Sequence, residues 1–266
     1  MWTADRVRTG GLLERYSRED MAAISPDERR RLFIEDRADP QSDPGLAWEL
    51  LYRLEPELYD RLAVAERLHP DILQWLPNHV ERIVEVGAGS GRLTLELVNR
   101  CNELTAIEPA ASLREILVRK LERNDALGAA SGDQPARVRV IGGFLDALPM
   151  ADRSAELVVA CSVLTPEQSH GGNRGLAEME RVCATQGMVV IIWPNHPEWL
   201  SAHGYRYLSF AGDMAMEFAS ITEAIDLARI FYPQAVDEIM RRGDRRVPYE
   251  ILGVNPPRDL AYKTIP

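Results

Sequence analysis

The stretch Val84-Glu85-Val86-Gly87-Ala88-Gly89-Ser90-Gly91-Arg92 carries the main fold signal of this chain. Val84 and Val86 belong to a β-branched run over residues 82–86, and three glycines follow at alternate positions. Glycine lets the backbone turn through conformations that a Cβ forbids, and it lets a ligand approach main-chain atoms closely. A helical pattern then begins and runs over residues 92–100. A strand, a glycine loop and a helix in succession are the context in which a nucleotide-type ligand is bound.

Outward from this loop the same alternation continues. Residues 104–107, 138–141, 157–160 and 188–193 are further apolar strand runs, and residues 111–124 and 173–184 are helical in pattern. Strands alternating with helices predict βαβ units and a parallel sheet, whose strands are buried on both faces and so read as unbroken apolar runs. Ser220-Ile221-Thr222-Glu223 opens a capped helix running toward Met240. Two last strand runs, 249–254 and 260–265, flank Asn255-Pro256-Pro257-Arg258-Asp259. Such a link turns a hairpin but is too short for a βαβ crossover of about a dozen residues, so the last strand is predicted to be antiparallel.

Residues 1–78 differ: they are polar and free of strand runs. Ser25-Pro26-Asp27-Glu28 is a helix start, and Leu50, Leu51, Leu54, Leu58, Leu62, Val64 and Leu68 form an amphipathic stripe interrupted at Pro56. The expected organisation is an N-terminal helical cap or lid over 1–78 and an α/β domain over 79–266. The chain has 266 residues, 45% of them apolar and 27% charged, as in a soluble globular protein. A net charge of −10 disfavours nucleic acid and anionic membranes as partners. All but two of the basic residues are arginine, the exceptions being Lys120 and Lys263, which is read as compositional. Cys101, Cys161 and Cys183 form neither a zinc pattern nor a disulfide framework. With no signal peptide and no apolar span of about 18 residues, a cytoplasmic protein is expected.

The glycine spacing separates two cofactor classes. Dinucleotide loops follow G-x-G-x-x-G, which would put the third glycine at position 92, where this chain has Arg92. The pattern here is G-x-G-x-G, with Glu85 two residues before Gly87, and Glu108 ends the second strand run. A carboxylate there can accept hydrogen bonds from a ribose diol. Together with Leu148-Pro149 and the strand that follows, these residues resemble the motif set of class I S-adenosylmethionine-dependent methyltransferases of the small-molecule type. The resemblance covers roughly 60–193 and extends through the terminal hairpin. It implies a doubly wound, Rossmann-like sheet of seven strands in the order 3-2-1-4-5-7-6, with strand 7 antiparallel. It implies S-adenosylmethionine as cofactor, with Gly87–Gly91 under its methionine part and ribose. The implied cofactor residues are Glu85, Gly87, Ala88, Gly89, Gly91, Glu108, Pro109, Phe144, Leu145 and Cys161. Phe144 stands where many relatives carry an adenine-binding Asp.

Chemistry in such a sheet takes place beyond the carboxyl ends of the strands. The segment after the fourth strand carries His170 before Gly171-Gly172, and the one after the fifth carries His196 between Trp193 and Trp199. Histidine is the natural base near neutral pH, so His170 and His196 are the candidate catalytic residues, and the two tryptophans are candidate walls for an acceptor. No metal set is apparent. Nucleic-acid methyltransferases carry an Asn/Asp-Pro-Pro-aromatic signature after the fourth strand, where this chain has Cys161-Ser162-Val163-Leu164. The expectation is therefore methylation of a small molecule such as a natural-product intermediate, by a homodimer or a chain with a heteromeric partner. Non-methylating elimination or cyclisation on the same fold, a silent partner subunit and a nicotinamide oxidoreductase are the alternatives.

Overall fold

The computed structural model describes residues 11–35, 37–131 and 137–266. The chain forms two compact units, residues up to Leu68 with Ala211–Pro257, and His69–Phe210 with Arg258–Pro266.

After a 3₁₀ helix (Arg18–Ala23) the first unit has α1 (Pro26–Arg31), α2 (Pro44–Leu54) and α3 (Pro56–Ala65). Ser25 caps α1, accepting from the Glu28 amide while Glu28 Oε2 accepts from the Ser25 amide. Pro56 separates α2 from α3 as the sequence predicts, because proline ends one helix and suits the first turn of the next.

The second unit holds the sheet. After α4 (Pro70–Trp75) come β1 (Val80–Val86), α5 (Thr94–Leu97), β2 (Cys101–Ile107), α6 (Ala111–Ser131) and β3 (Arg137–Ile141). Then follow β4 (Ala155–Cys161), α7 (Gly172–Val182), β5 (Cys183–Ile192), α8 (Pro197–Ala202) and β6 (Arg206–Ser209). Inserted after β6 are first-unit elements β7 (Ala215–Glu217), α9 (Ile221–Phe231), α10 (Val236–Arg242), β8 (Arg246–Pro248) and α11 (Tyr249–Leu252). The last strand, β9 (Asp259–Thr264), returns to the sheet.

Among the described residues seven strands pair in the order β3-β2-β1-β4-β5-β9-β6. β1 to β5 are parallel, and β9 is antiparallel to both β5 and β6. This is the expected seven-stranded, doubly wound sheet, with the order reversing between β1 and β4. Leu176, Met179 and Val182 recur at three-residue spacing, so one face of α7 packs on Val158, Ala160, Val189 and Ile191. Each such side chain, removed from water, contributes about 1.5–3 kcal/mol.

Two sequence expectations are corrected. Residues 249–254 are not the penultimate strand: Tyr249 and Leu252 are both buried at helical spacing in α11, whereas a strand would turn them to opposite faces. The strand in that place is β6, an edge strand whose residues are largely exposed, so no apolar run announced it. The predicted antiparallel pairing is nonetheless present, closed by the Phe210 amide donating to the Arg258 carbonyl at 2.9 Å, with 211–257 inserted where a hairpin turn would lie. The helix from Ser220 toward Met240 stops at Phe231, because Pro233 begins a 3₁₀ turn before α10.

The first compact unit joins residues up to Leu68 with Ala211–Pro257. Within that unit Trp48 of α2 stacks on Phe231 of α9, with centroids 5.5 Å apart. The Gly11 amide donates to Ile230 O at 2.9 Å, and Arg61 pairs with Glu223 at 2.9 Å. Because the two segments share one core, Phe231→Ala is expected to lower stability by about 3–5 kcal/mol. Amide exchange should quicken in both α2 and α9; acceleration confined to α9 would refute a shared core.

Candidate functional site

The site is built on the carboxyl ends of β1, β2, β4 and β5. At the end of β1 the amides of Gly87 and Ala88 both donate to Ile107 O, at 2.8 and 3.0 Å, which bends the chain back across β2. Gly87 and Gly91 have φ of 69° and 97°, in the left-handed region. A Cβ on Gly87 would lie 2.7 Å from Val163 Cγ1, and one on Gly91 2.5 Å from Leu117 Cδ1. Glycine is required there by both conformation and space.

Glu108 is buried just past β2. Its Oε2 accepts from the Gly89 amide and its Oε1 from the Ala110 amide, each at 2.9 Å. One carboxylate thus holds the glycine loop and the turn after β2 in register. Pro109 contributes its carbonyl to Arg114 at 2.7 Å.

Glu85 lies inside the loop and is 2% exposed. Burial pushes its carboxyl up from the ordinary 4.5 to about 8; a hydrogen bond from Thr94 and the charge of Arg92 pull it back, while Glu108 adds to the rise. Thr94 Oγ1 donates to Glu85 Oε2 at 2.6 Å. Sequence reasoning missed this partner, although a lone hydroxyl between Leu93 and Leu95 was a usable signal.

Arg92 reaches across the sheet end. Its Nη2 donates to Cys161 Sγ at 3.3 Å, and its guanidinium carbon lies 5.5 Å from the centroid of the Trp193 ring. Ser162 and Trp193, the first residues past β4 and β5, have φ of 57° and 53°. Non-glycine residues held there store on the order of 1–3 kcal/mol each, and such strain gathers at functional sites. Backbone bonds hold both: Ser162 N donates to Ile192 O at 3.0 Å and Trp193 N to Asp259 O at 2.8 Å.

The remaining candidates are spread more widely. Phe144 and Ala147 form a bridged turn, and Leu145 packs against Gly171 rather than standing apart from the segment after β4. His170 ends a 3₁₀ turn there, half-buried, with Nδ1 3.6 Å from Glu167 Oε2. His196 is exposed at the N-cap of α8. Trp199 donates to Asn173 Oδ1 at 3.1 Å, which links α8 to α7. Among the described residues no group of His, Cys, Asp and Glu is arranged to hold a metal ion. No described helix is long and apolar enough to cross a membrane.

S-adenosylmethionine fits this arrangement. A loop closed to side chains by Val163 and Leu117 leaves backbone as its surface, and the carboxylate of Glu108, fixed by two amides, keeps lone pairs of the kind a ribose diol requires.

Residues 84–191 match a family described as a methyltransferase domain. An uncharacterized methyltransferase of Mycobacterium tuberculosis (strain H37Rv) is 26% identical over 134 residues, 49% of this chain and 47% of that protein. An uncharacterized methyltransferase of Schizosaccharomyces pombe is 28% identical over 130 residues, 47% and 45% of the two chains. The chain thus aligns with about half the length of the curated relatives it matches. The YcgJ protein of Bacillus subtilis is 13% identical, with a TM-score of 0.44, covering 77% of this chain and 98% of its own.

The carboxyl of Glu85 yields a pH test. Its folded value lies above its unfolded one, so its contribution to stability is complete below about 4.5 and is lost as pH rises through about 8. Glu85→Gln keeps an acceptor for Thr94 and cannot titrate. Denaturant titrations should show the variant gaining on the wild type as pH climbs through that window. A constant difference would mean that Glu85 stays charged.

Proposed function

We propose that this chain, whose residues 84–191 match a family described as a methyltransferase domain, is a class I S-adenosylmethionine-dependent methyltransferase that moves a methyl group from this cofactor to an O, N or C atom of a small organic molecule. The observation that carries the proposal is the glycine loop tied to Glu108 by the Gly89 amide. Bound S-adenosylmethionine supplies a methyl group on a sulfonium sulfur, which departs as a neutral thioether. The protein's task is then to hold donor and acceptor in line and to keep water out.

In this proposal Glu108 takes the ribose hydroxyls and the loop backbone supports the methionine part. Trp193 and Trp199 supply apolar surface to an acceptor. His170, with Glu167 beside Nδ1, receives a proton from an acceptor that carries one; His196 is the second candidate. A small acceptor is favoured by the net charge of −10 and by Cys161-Ser162-Val163-Leu164 in place of a nucleic-acid signature. The role of a cap or lid, expected of residues 1–78, remains part of the same proposal. A cytoplasmic location and self-association or a heteromeric partner remain parts of the same proposal.

Calorimetric titration tests the cofactor. S-adenosylhomocysteine should bind the wild type, and Glu108→Ala should weaken it by on the order of tenfold to hundredfold. Binding of NAD(H) without either sulfur ligand would overturn the proposal. With an acceptor in hand, the product should gain one CH₂ unit, and His170→Ala should lower turnover while leaving cofactor affinity intact. An unaltered acceptor mass would point to elimination or cyclisation instead.

A further inference from the structure

Arg114 stands fourth in α6, in the first turn of the helix that follows the end of β2. A cation in that turn is opposed by the helix dipole, so local preference does not account for it. Its contacts do. Nη1 donates to the carbonyls of both Glu108 and Pro109, each at 2.7 Å, and the Arg114 amide donates to the Ala110 carbonyl at 3.1 Å. One residue thus answers three consecutive carbonyls. A terminal guanidinium nitrogen carries two N–H bonds, which suits two acceptors that converge on it. The guanidinium also lies against the segment after β3: a Cβ on Gly142 would come within 3.4 Å of Arg114 Cζ and Nη1.

These carbonyls belong to the turn that carries the Glu108 carboxylate. The Glu108 amide donates to the Ile141 carbonyl at 3.1 Å, and the Ala110 amide donates to Glu108 Oε1 at 2.9 Å. The peptide that joins Glu108 to Pro109 has no N–H. Its carbonyl is its one hydrogen-bonding group, and Arg114 takes it. That carbonyl shares a Cα with the Glu108 side chain, so the orientation of the peptide limits where the carboxylate can lie. Without the guanidinium both oxygens would turn toward water, because a carbonyl left dry and unpaired is costly.

We infer that Arg114 is a positioning residue for the ribose end of the cofactor. Through the Glu108 and Pro109 carbonyls it sets Glu108 so that the carboxylate meets the Gly89 amide and the ribose hydroxyls together. The inference rests on the role of Glu108 proposed above, and adds a side chain that acts through Glu108 rather than on the ligand.

The test uses the full chain in calorimetric titrations with two probes, S-adenosylhomocysteine and its 2′-deoxyribose analogue. The wild type should prefer the ribose form by on the order of tenfold to hundredfold. Arg114→Met keeps the length of the stem and removes the donors. It should lose most of that preference and bind the deoxy analogue nearly as the wild type does, which also reports that the variant is folded. Arg114→Lys places one nitrogen with several N–H bonds near both carbonyls and should restore the preference. If Arg114→Met does not fold, Arg114→Gln, whose single amide sits on a shorter stem, takes its place in both comparisons. Retention of the full preference without the guanidinium, or equal loss of it in the Met and Lys variants, overturns the inference while leaving the role of Glu108 standing. A wild type that binds both probes alike overturns that role and the inference with it. A wild type that binds neither probe overturns the cofactor as well.

Discussion

The carboxylate of Glu108 accepts one amide from the glycine loop and one from the turn after β2. Taking a carboxylate out of water is costly unless hydrogen bonds answer it, and two backbone amides do so here at good distance. In return the two amides of irregular backbone are satisfied where no strand or helix could satisfy them. The loop can then keep Gly87 and Gly91 in left-handed conformations. Everything at the sheet end inherits its place from this bond. Arg92 leaves the loop in a set direction, and Thr94 begins α5 at the distance that reaches Glu85.

Two acids flank the same loop with different surroundings. Glu108 is met by backbone donors, whereas Glu85 is buried and accepts from the hydroxyl of Thr94. The pair illustrates how environment rather than residue type decides what a carboxyl does. The left-handed backbones at Ser162 and Trp193 add a second constraint. They turn the chain sharply away from β4 and β5, and thereby bring Cys161 and Trp193 to the same guanidinium.

The insertion after β6 shows how a doubly wound sheet tolerates a large excursion. Phe210 and Arg258 stay hydrogen-bonded, so the ladder between β6 and β9 closes as it would around a short turn. His69 stacks on Phe210 with centroids 5.8 Å apart, which anchors the same edge from the start of the second unit. The excursion itself folds with the N-terminal helices, where the ring of Trp48 covers Phe231.

Local pattern in the sequence was sufficient for the five parallel strands, for the helices between them and for the glycine loop with Glu85 and Glu108. Buried parallel strands must be apolar throughout, and a loop of positive φ must be glycine, so both leave marks in consecutive residues. Only the tertiary structure decided the rest. β6 is exposed at the sheet edge and carries no apolar run; residues 249–252 are apolar at a spacing that short windows confuse with a strand. The union of 211–257 with the N-terminal helices rests on Trp48 meeting Phe231, and the reach of Arg92 to Cys161 and Trp193 on three strand ends lying side by side. Contacts between residues far apart in the chain leave no period in the sequence, because each partner satisfies its local pattern equally well without the other.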